Sequence, residues 1–284
     1  MTEVFATRPL NLLFIVCHPD DEALWIGGLL CELPQFQRIR TFVICLSGRD
    51  PESSRPREFE EARRVAGYHR GVVLGQALRP VGHPLPPISG TTEEGLGEIG
   101  LRPDAVDLLV THSPYGDEHA NPHHMQAYRE LRTWTAALQI PFGYFSYVPM
   151  ADLMHIPVDT GFRRAGGLHL VSRSRCEWPA RSSRTDVRCP REYVQFAVDA
   201  QRKHEMFRSY DSIGVAEHER HYAALTSATE GVYIEDPSGS RVVDAIVEGM
   251  VTPSLNDGIG ARYAPAPPTL TRRVAGKLRR LSRP

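Results

Sequence analysis

One histidine and three acids stand together at His18-Pro19-Asp20-Asp21-Glu22. Imidazole and carboxylate suit zinc or a similar divalent ion. His18 and Asp21 are three residues apart across a helix start and can face one ion. Asp20 then points to another side, where it can take a proton from water without ligating the ion. A helix cap explains part of the stretch, because acids favour the first turn and proline the entry to it. Nothing in capping calls for His-x-x-Asp. A catalytic metal also needs a third protein ligand and an open position. THSPYGDEHANPHHMQAY supplies candidates, with His112, His119, His123 and His124 inside 13 residues.

The segments around these residues alternate. NLLFIVC (11–17) reads as a buried strand, followed by a helix from about Asp20. IRTFVICL (39–46), GVVLGQ (71–76), AVDLLVTH (105–112) and FGYFSYV (142–148) read as further strands. REFEEARRVAGY (57–68) and NPHHMQAYRELRTWTAAL (121–138) read as helices between them. Buried strands alternating with helices predict a parallel sheet covered on both faces. Right-handed crossovers make that a Rossmann-like, three-layer α/β fold with a mostly parallel sheet. In such sheets ligands bind beyond the carboxyl ends of strands. HPDDE follows the first strand, and the histidine-rich stretch follows the fourth.

The C-terminal region is less regular. Residues 161–192 are arginine-rich and read as a long loop or a small hairpin. REYVQFAVDAQRKHEMFRSY (191–210) reads as a helix, and AEHERHYAAL (216–225) as a further one. APAPP (264–268) is a linker signal. The expected organisation is one domain over 1–258, with its core at 11–150 and a variable substrate side at 151–258. A basic tail occupies 259–284.

Composition narrows the class. Hydrophobic residues make 41% and charged residues 24% of 284, as in a folded soluble protein. The formal charge is −1, which argues against a nucleic-acid binder. No apolar run approaches the roughly 18 residues of a membrane span. The N-terminus lacks a signal-peptide pattern, so a cytoplasmic protein is expected. Cys17, Cys31 and Cys45 lie in apolar surroundings and read as core residues; Cys176 and Cys189 flank the arginine-rich loop. No G-x-G-x-x-G follows the first strand, which argues against a dinucleotide-dependent oxidoreductase.

HPDDE after the first strand, with a histidine-rich motif opening a later helix, resembles the LmbE-like (PIG-L) N-acetylglucosaminyl deacetylase family. The resemblance covers roughly residues 11–150. It implies a Rossmann-like fold and hydrolysis of an N-acetyl group on an N-acetylglucosamine-containing substrate, a small molecule or a glycolipid. It also implies one zinc ion per chain, with iron or another divalent ion as the alternative. By position His18, Asp21 and His124 are the implied metal ligands and Asp20 the general base. The family's second motif reads His-Pro-x-His; this chain has Asn121-Pro122-His123-His124. Asn121 therefore stands where the family has a histidine thought to stabilise the oxyanion. An amide donates a hydrogen bond but not a proton, so His119 and His123 are the other candidates for that work. Arg57, in the helix resembling the family's second, and Ser47, after the second strand, are candidate substrate contacts. The same machinery on another amide and a non-catalytic carbohydrate binder are the alternatives. In the tail, Leu270, Val274, Leu278 and Leu281 recur at helical spacing among arginines. Such a segment suits peripheral contact with an anionic membrane, and a solvated tail is the plain alternative.

Overall fold

The computed structural model describes residues 8–75, 83–117, 120–145, 155–159, 163–165, 168–176, 192–213 and 229–251. All belong to the unit spanning Met1–Thr252. The first half of the chain runs β1 (Leu10–Val16), α1 (Asp21–Glu32), β2 (Ile39–Cys45), α2 (Arg55–Ala66) and β3 (Arg70–Val73). It continues through α3 (Ile88–Ile99), β4 (Leu108–Thr111), α4 (Pro122–Leu138) and β5 (Phe142–Phe145). Beyond it come β6 (His155–Asp159), β7 (Arg163–Ala165), β8 (Leu168–Cys176), β9 (Glu192–Ala197), α5 (Ala200–Phe207), β10 (Thr229–Ile234) and α6 (Pro237–Val251).

One sheet contains every described strand, in the order β3-β2-β1-β4-β5-β10-β9-β8-β6, with β7 on β8. The β3-β2-β1-β4-β5 half is parallel. This is the α/β architecture expected from the alternating segments. From β5 onward the pairings are antiparallel. The order reverses at β1, whose neighbours are β2 on one side and β4 on the other. A crevice therefore opens beyond the carboxyl ends of β1 and β4.

Strand periodicity builds the layers. Leu10, Leu12, Phe14 and Val16 face a core shared with α1, α2, α5 and α6. Leu13, Ile15 and Cys17 face the opposite core, closed by α3 and α4. Cys17, Cys31 and Cys45 are buried free thiols, as the sequence predicts. Among the described residues no helix is long and apolar enough to cross a membrane.

The single helix expected at 191–210 is two elements. Tyr193, Val194 and Phe196 belong to β9, paired with β10 and β8. Asp199 then starts α5 by accepting hydrogen bonds from the backbone N–H groups of Gln201 and Arg202. Within the arginine-rich stretch, β7 pairs antiparallel with β8. The segment 216–225, the 259–284 tail and Cys189 lie outside the described residues, as do the side chains of 155–176.

Helix α1 breaks at Ile26, whose φ of −134° and ψ of 16° are not helical. The break is closed from afar. Glu230 on β10 accepts hydrogen bonds from Gly28 N (3.0 Å) and Leu29 N (2.7 Å). Lys203 on α5 pairs with the same carboxylate at 2.8 Å. Gly28 is required here, because a Cβ would lie 2.4 Å from Val198 Cγ2.

Candidate metal centre

The chain leaves β1 at Cys17 and turns through His18 and Pro19 into α1. Asp20 sits at the helix entry with φ 131°, a left-handed conformation that costs a non-glycine residue of order 1–3 kcal/mol. The turn sends consecutive carboxylates to different sides. Asp21 points into the crevice, where its Oδ2 accepts the His18 backbone N–H at 2.8 Å. Its Oδ1 accepts from Trp25 Nε1 at 3.3 Å. Asp20 turns to Arg55, the first residue of α2. Arg55 Nη1 donates to Asp20 Oδ2 at 3.1 Å and to the Pro19 carbonyl at 2.8 Å.

The second motif arrives from β4 and α4. Asn121 caps α4, its Oδ1 accepting from His123 N at 3.0 Å, and Pro122 opens the first turn. His124 is thereby placed over Asp21, Nε2 to Oδ2 at 3.2 Å. His18 Nδ1 is 3.2 Å from the same oxygen and 3.3 Å from His124 Nε2. Ligand atoms of His18, Asp21 and His124 all lie within 4.8 Å of one another. Two imidazoles and one carboxylate make a donor set that fits a divalent ion. On the far side of His124, Asp117 Oδ2 lies 3.4 Å from Nδ1. His112, fully buried, stacks on His124 with ring centres 3.8 Å apart and accepts the Cys17 N–H at 2.9 Å.

Cys17, His112 and His124 form a second group of similar span. It fits an ion less well. Burial, with Asp21 and Asp117 nearby, pushes the Cys17 thiol well up, so it keeps its proton. The His112 nitrogen nearest Asp21 is already occupied by Cys17 N–H. His18, by contrast, is 18% exposed at its side chain and opens the first group to solvent.

The electrostatics separate the two aspartates. Burial raises Asp21, but His124 and His112, with hydrogen bonds from His124 and His18, hold it well below the usual carboxylate range. Asp20 is pushed up to about 6 by burial and by Asp21, against the pull of Arg55 and His18. Glu22 is pushed up to about 8 by burial, against a hydrogen bond from the Tyr210 hydroxyl. Burial lowers His18, yet the hydrogen bond and charge of Asp21 raise it overall. Burial lowers His123, with His18 and His124 adding to the effect.

The other sequence candidates distribute unevenly. His123 joins the cluster from behind, with Nδ1 2.9 Å from His18 Nε2 and Nε2 2.7 Å from the His83 carbonyl. Ser47 is buried, and its hydroxyl donates to the Cys17 carbonyl at 2.7 Å, tying the ends of β1 and β2. Arg57 is exposed on α2; Arg55, two residues earlier, is the arginine that reaches Asp20. His119 lies outside the described residues. Sequence reading missed the positions of Asp117 and Arg55. The signals were present, an acid in the loop before the histidines and an arginine at the first position of a helix, but neither is distinctive in one dimension.

A three-layer α/β protein with a His/Asp cluster at the switch point of its parallel sheet defines the class. No family model matches the chain. A curated relative is the 1D-myo-inositol 2-acetamido-2-deoxy-alpha-D-glucopyranoside deacetylase of Corynebacterium diphtheriae. It is 29% identical over 185 residues, spanning 52% of this chain and 61% of the relative. Among solved structures, a deacetylase of the teicoplanin biosynthetic pathway aligns at a TM-score of 0.48 and 15% identity, covering 79% of this chain and 97% of that one. The N,N'-diacetylchitobiose deacetylase from Pyrococcus horikoshii aligns at 0.44 and 18%, covering 83% and 86%. HPDDE and NPHH, the motifs on which the resemblance to the LmbE-like family rests, are folded into one cluster.

Proposed function

We propose that this protein is a metal-dependent amide hydrolase that removes an N-acetyl group from an N-acetylglucosamine-containing substrate. One observation carries the reading: His18, Asp21 and His124 converge within 4.8 Å, while Asp20 stands beside them held by Arg55. The curated relative, itself named a deacetylase of an acetamido sugar, supports the choice of substrate class.

His18, Asp21 and His124 would hold one ion per chain, with zinc the first choice. Such an ion supplies Lewis acidity at the amide carbonyl and lowers the pKa of water toward about 7. Asp20 takes the proton of the attacking water. A carboxyl poised at about 6 both accepts and releases a proton near neutrality, so Asp20 can pass it to the departing amine. Asn121 spends its side-chain oxygen on the α4 cap, so its amide N–H groups are what it offers an oxyanion. Products are acetate and a free amine.

Elemental analysis of the purified protein tests the metal, and acetate release from N-acetylglucosamine conjugates tests the reaction. About one zinc or iron per chain and acetate release proportional to it are expected. A chain that takes up no metal after zinc incubation, or a loaded chain inert on all acetamido sugars, would sink the proposal.

A further inference from the structure

The parallel half of the sheet has a second end. The amino ends of β1, β2 and β3 lie across the length of β1 from the metal centre, about 20 Å away. Two adjoining cavities open there beside the connection from α3 to β4, of about 280 and 370 Å³, and they share Asn11, Arg40, Arg102 and Ala105. Asn11 pairs with Arg40 in the β1–β2 register and Phe42 with Arg70 in the β2–β3 register, so all four face the same side of the sheet. Phe42 and Leu101 are buried and give the larger cavity an apolar floor. His69 stands edge-on to Phe42 with ring centres 5.2 Å apart.

Four arginines and one aspartate line the two cavities. Arg8 spends its guanidinium on Asp107, with Nη1 to Oδ2 at 2.7 Å and Nη2 to Oδ1 at 2.5 Å. Arg102 lies 3.3 Å from the lining aspartate, Asp104. Arg40 and Arg70 have no carboxylate partner among the described residues. Arg70 is nevertheless fixed in the wall, because its Nη1 donates to the Ile99 carbonyl at 3.2 Å. Burial lowers His69, and the charges of Arg40, Arg70 and Arg63 add to the effect. Two cations without counter-charge on one small cavity call for a dianion, and the guanidinium fork matches phosphate oxygens. We infer that this cavity binds a phosphate-type dianion, a phosphate monoester or a diphosphate, between Arg40 and Arg70 with Arg102 at the rim. Such an anion would bridge β2, β3 and the connection from α3 to β4, and so tighten the parallel half of the fold.

Calorimetric titration of the metal-free full chain with inorganic phosphate and with pyrophosphate tests this, since neither anion then has a metal ion to bind. One pyrophosphate per chain should bind, and pyrophosphate should raise the unfolding temperature more than sodium chloride of equal ionic strength. Arg40 is exposed and holds no partner, so Arg40→Gln should fold as the parent does and weaken pyrophosphate binding about 10-fold or more. Arg102→Gln should weaken it less. No heat with the parent, stabilisation equalled by chloride, or unchanged affinity in both variants overturns the site. Vesicles of phosphatidylcholine with and without phosphatidate distinguish the bearer of the phosphate. Phosphatidate-dependent binding that Arg40→Gln abolishes assigns the site to a lipid headgroup. Pyrophosphate binding without vesicle binding assigns it to a soluble phosphate compound.

Discussion

Two buried carboxylates are fixed along helix α1, and they are finished differently. At the break, Glu230 receives two backbone N–H groups and the ammonium of Lys203. Its partners are all fixed donors of positive or partial positive charge. At the helix entry, Asp21 receives one backbone N–H and one indole N–H, and its Oδ2 also faces His18, His112 and His124. His18 and His124 can each give up a proton and present a lone pair, whereas His112 Nε2 is held by the Cys17 N–H. Two such nitrogens beside one carboxylate oxygen make a place where a cation can replace hydrogen. A carboxylate saturated by backbone and lysine is a joint; one shared among imidazoles is a receptor.

Substitutions on each side should sharpen that contrast. The largest effect belongs to the entry. Asp20→Asn should keep zinc affinity near that of the parent and lower kcat for acetate release about 10²- to 10⁴-fold. Stopped-flow or end-point assay of acetate, with metal content measured beside it, checks both halves; undiminished turnover would remove Asp20 from the base role. At the joint, Lys203→Met leaves Glu230 buried without its cation and should cost about 3–5 kcal/mol in urea unfolding. Metal content of the folded fraction should not change. If Lys203→Met depleted metal without loss of stability, the division between joint and receptor would be false.

Glu22 lies between the two regions and tests them through pH. Its folded pKa of about 8 is above the ordinary carboxyl value of 4.5. Its contribution to stability is therefore fully present below about 4.5 and is lost as pH rises through 8. Glu22→Gln should flatten unfolding free energy against pH in that window, by on the order of a few kcal/mol. Parallel pH profiles for parent and variant would refute the assignment. The smallest effect concerns Arg55. It lowers Asp20, so removing it should raise the carboxyl further. The acid limb of kcat, expected near pH 6, should move to higher pH in Arg55→Met. Movement to lower pH, or none, would show that Arg55 does not tune Asp20.

The receptor was far more legible in the sequence than the joint. His18, Asp20 and Asp21 are adjacent in the chain, and Asn121 to His124 open a helix, so local spacing carried the geometry. The joint depends on residues 202 apart, which no window of sequence connects. The parallel half of the sheet was readable because its strands are compact apolar runs. Helix α3 was hidden by three glycines in ISGTTEEGLGEI, which depress helix propensity. One of them is explained by packing, since a Cβ on Gly95 would meet Leu74 at 2.7 Å and Ile44 at 2.9 Å. The β9–α5 region misled because an aromatic and β-branched strand runs directly into a capped helix. Periodicity averaged over both looked like one amphipathic segment.

The broken helix has a consequence for biosynthesis. A ribosome delivers α1 long before α5 and β10, so the second half of that helix emerges without the carboxylate that closes it. Glu22 likewise waits for Tyr210, 188 residues downstream. The nascent first half can form its parallel strands, yet the helix that presents Asp20 and Asp21 acquires its supports only when the late segments dock. The helix entry should therefore take its final form only after β10 has been made, as one cooperative event.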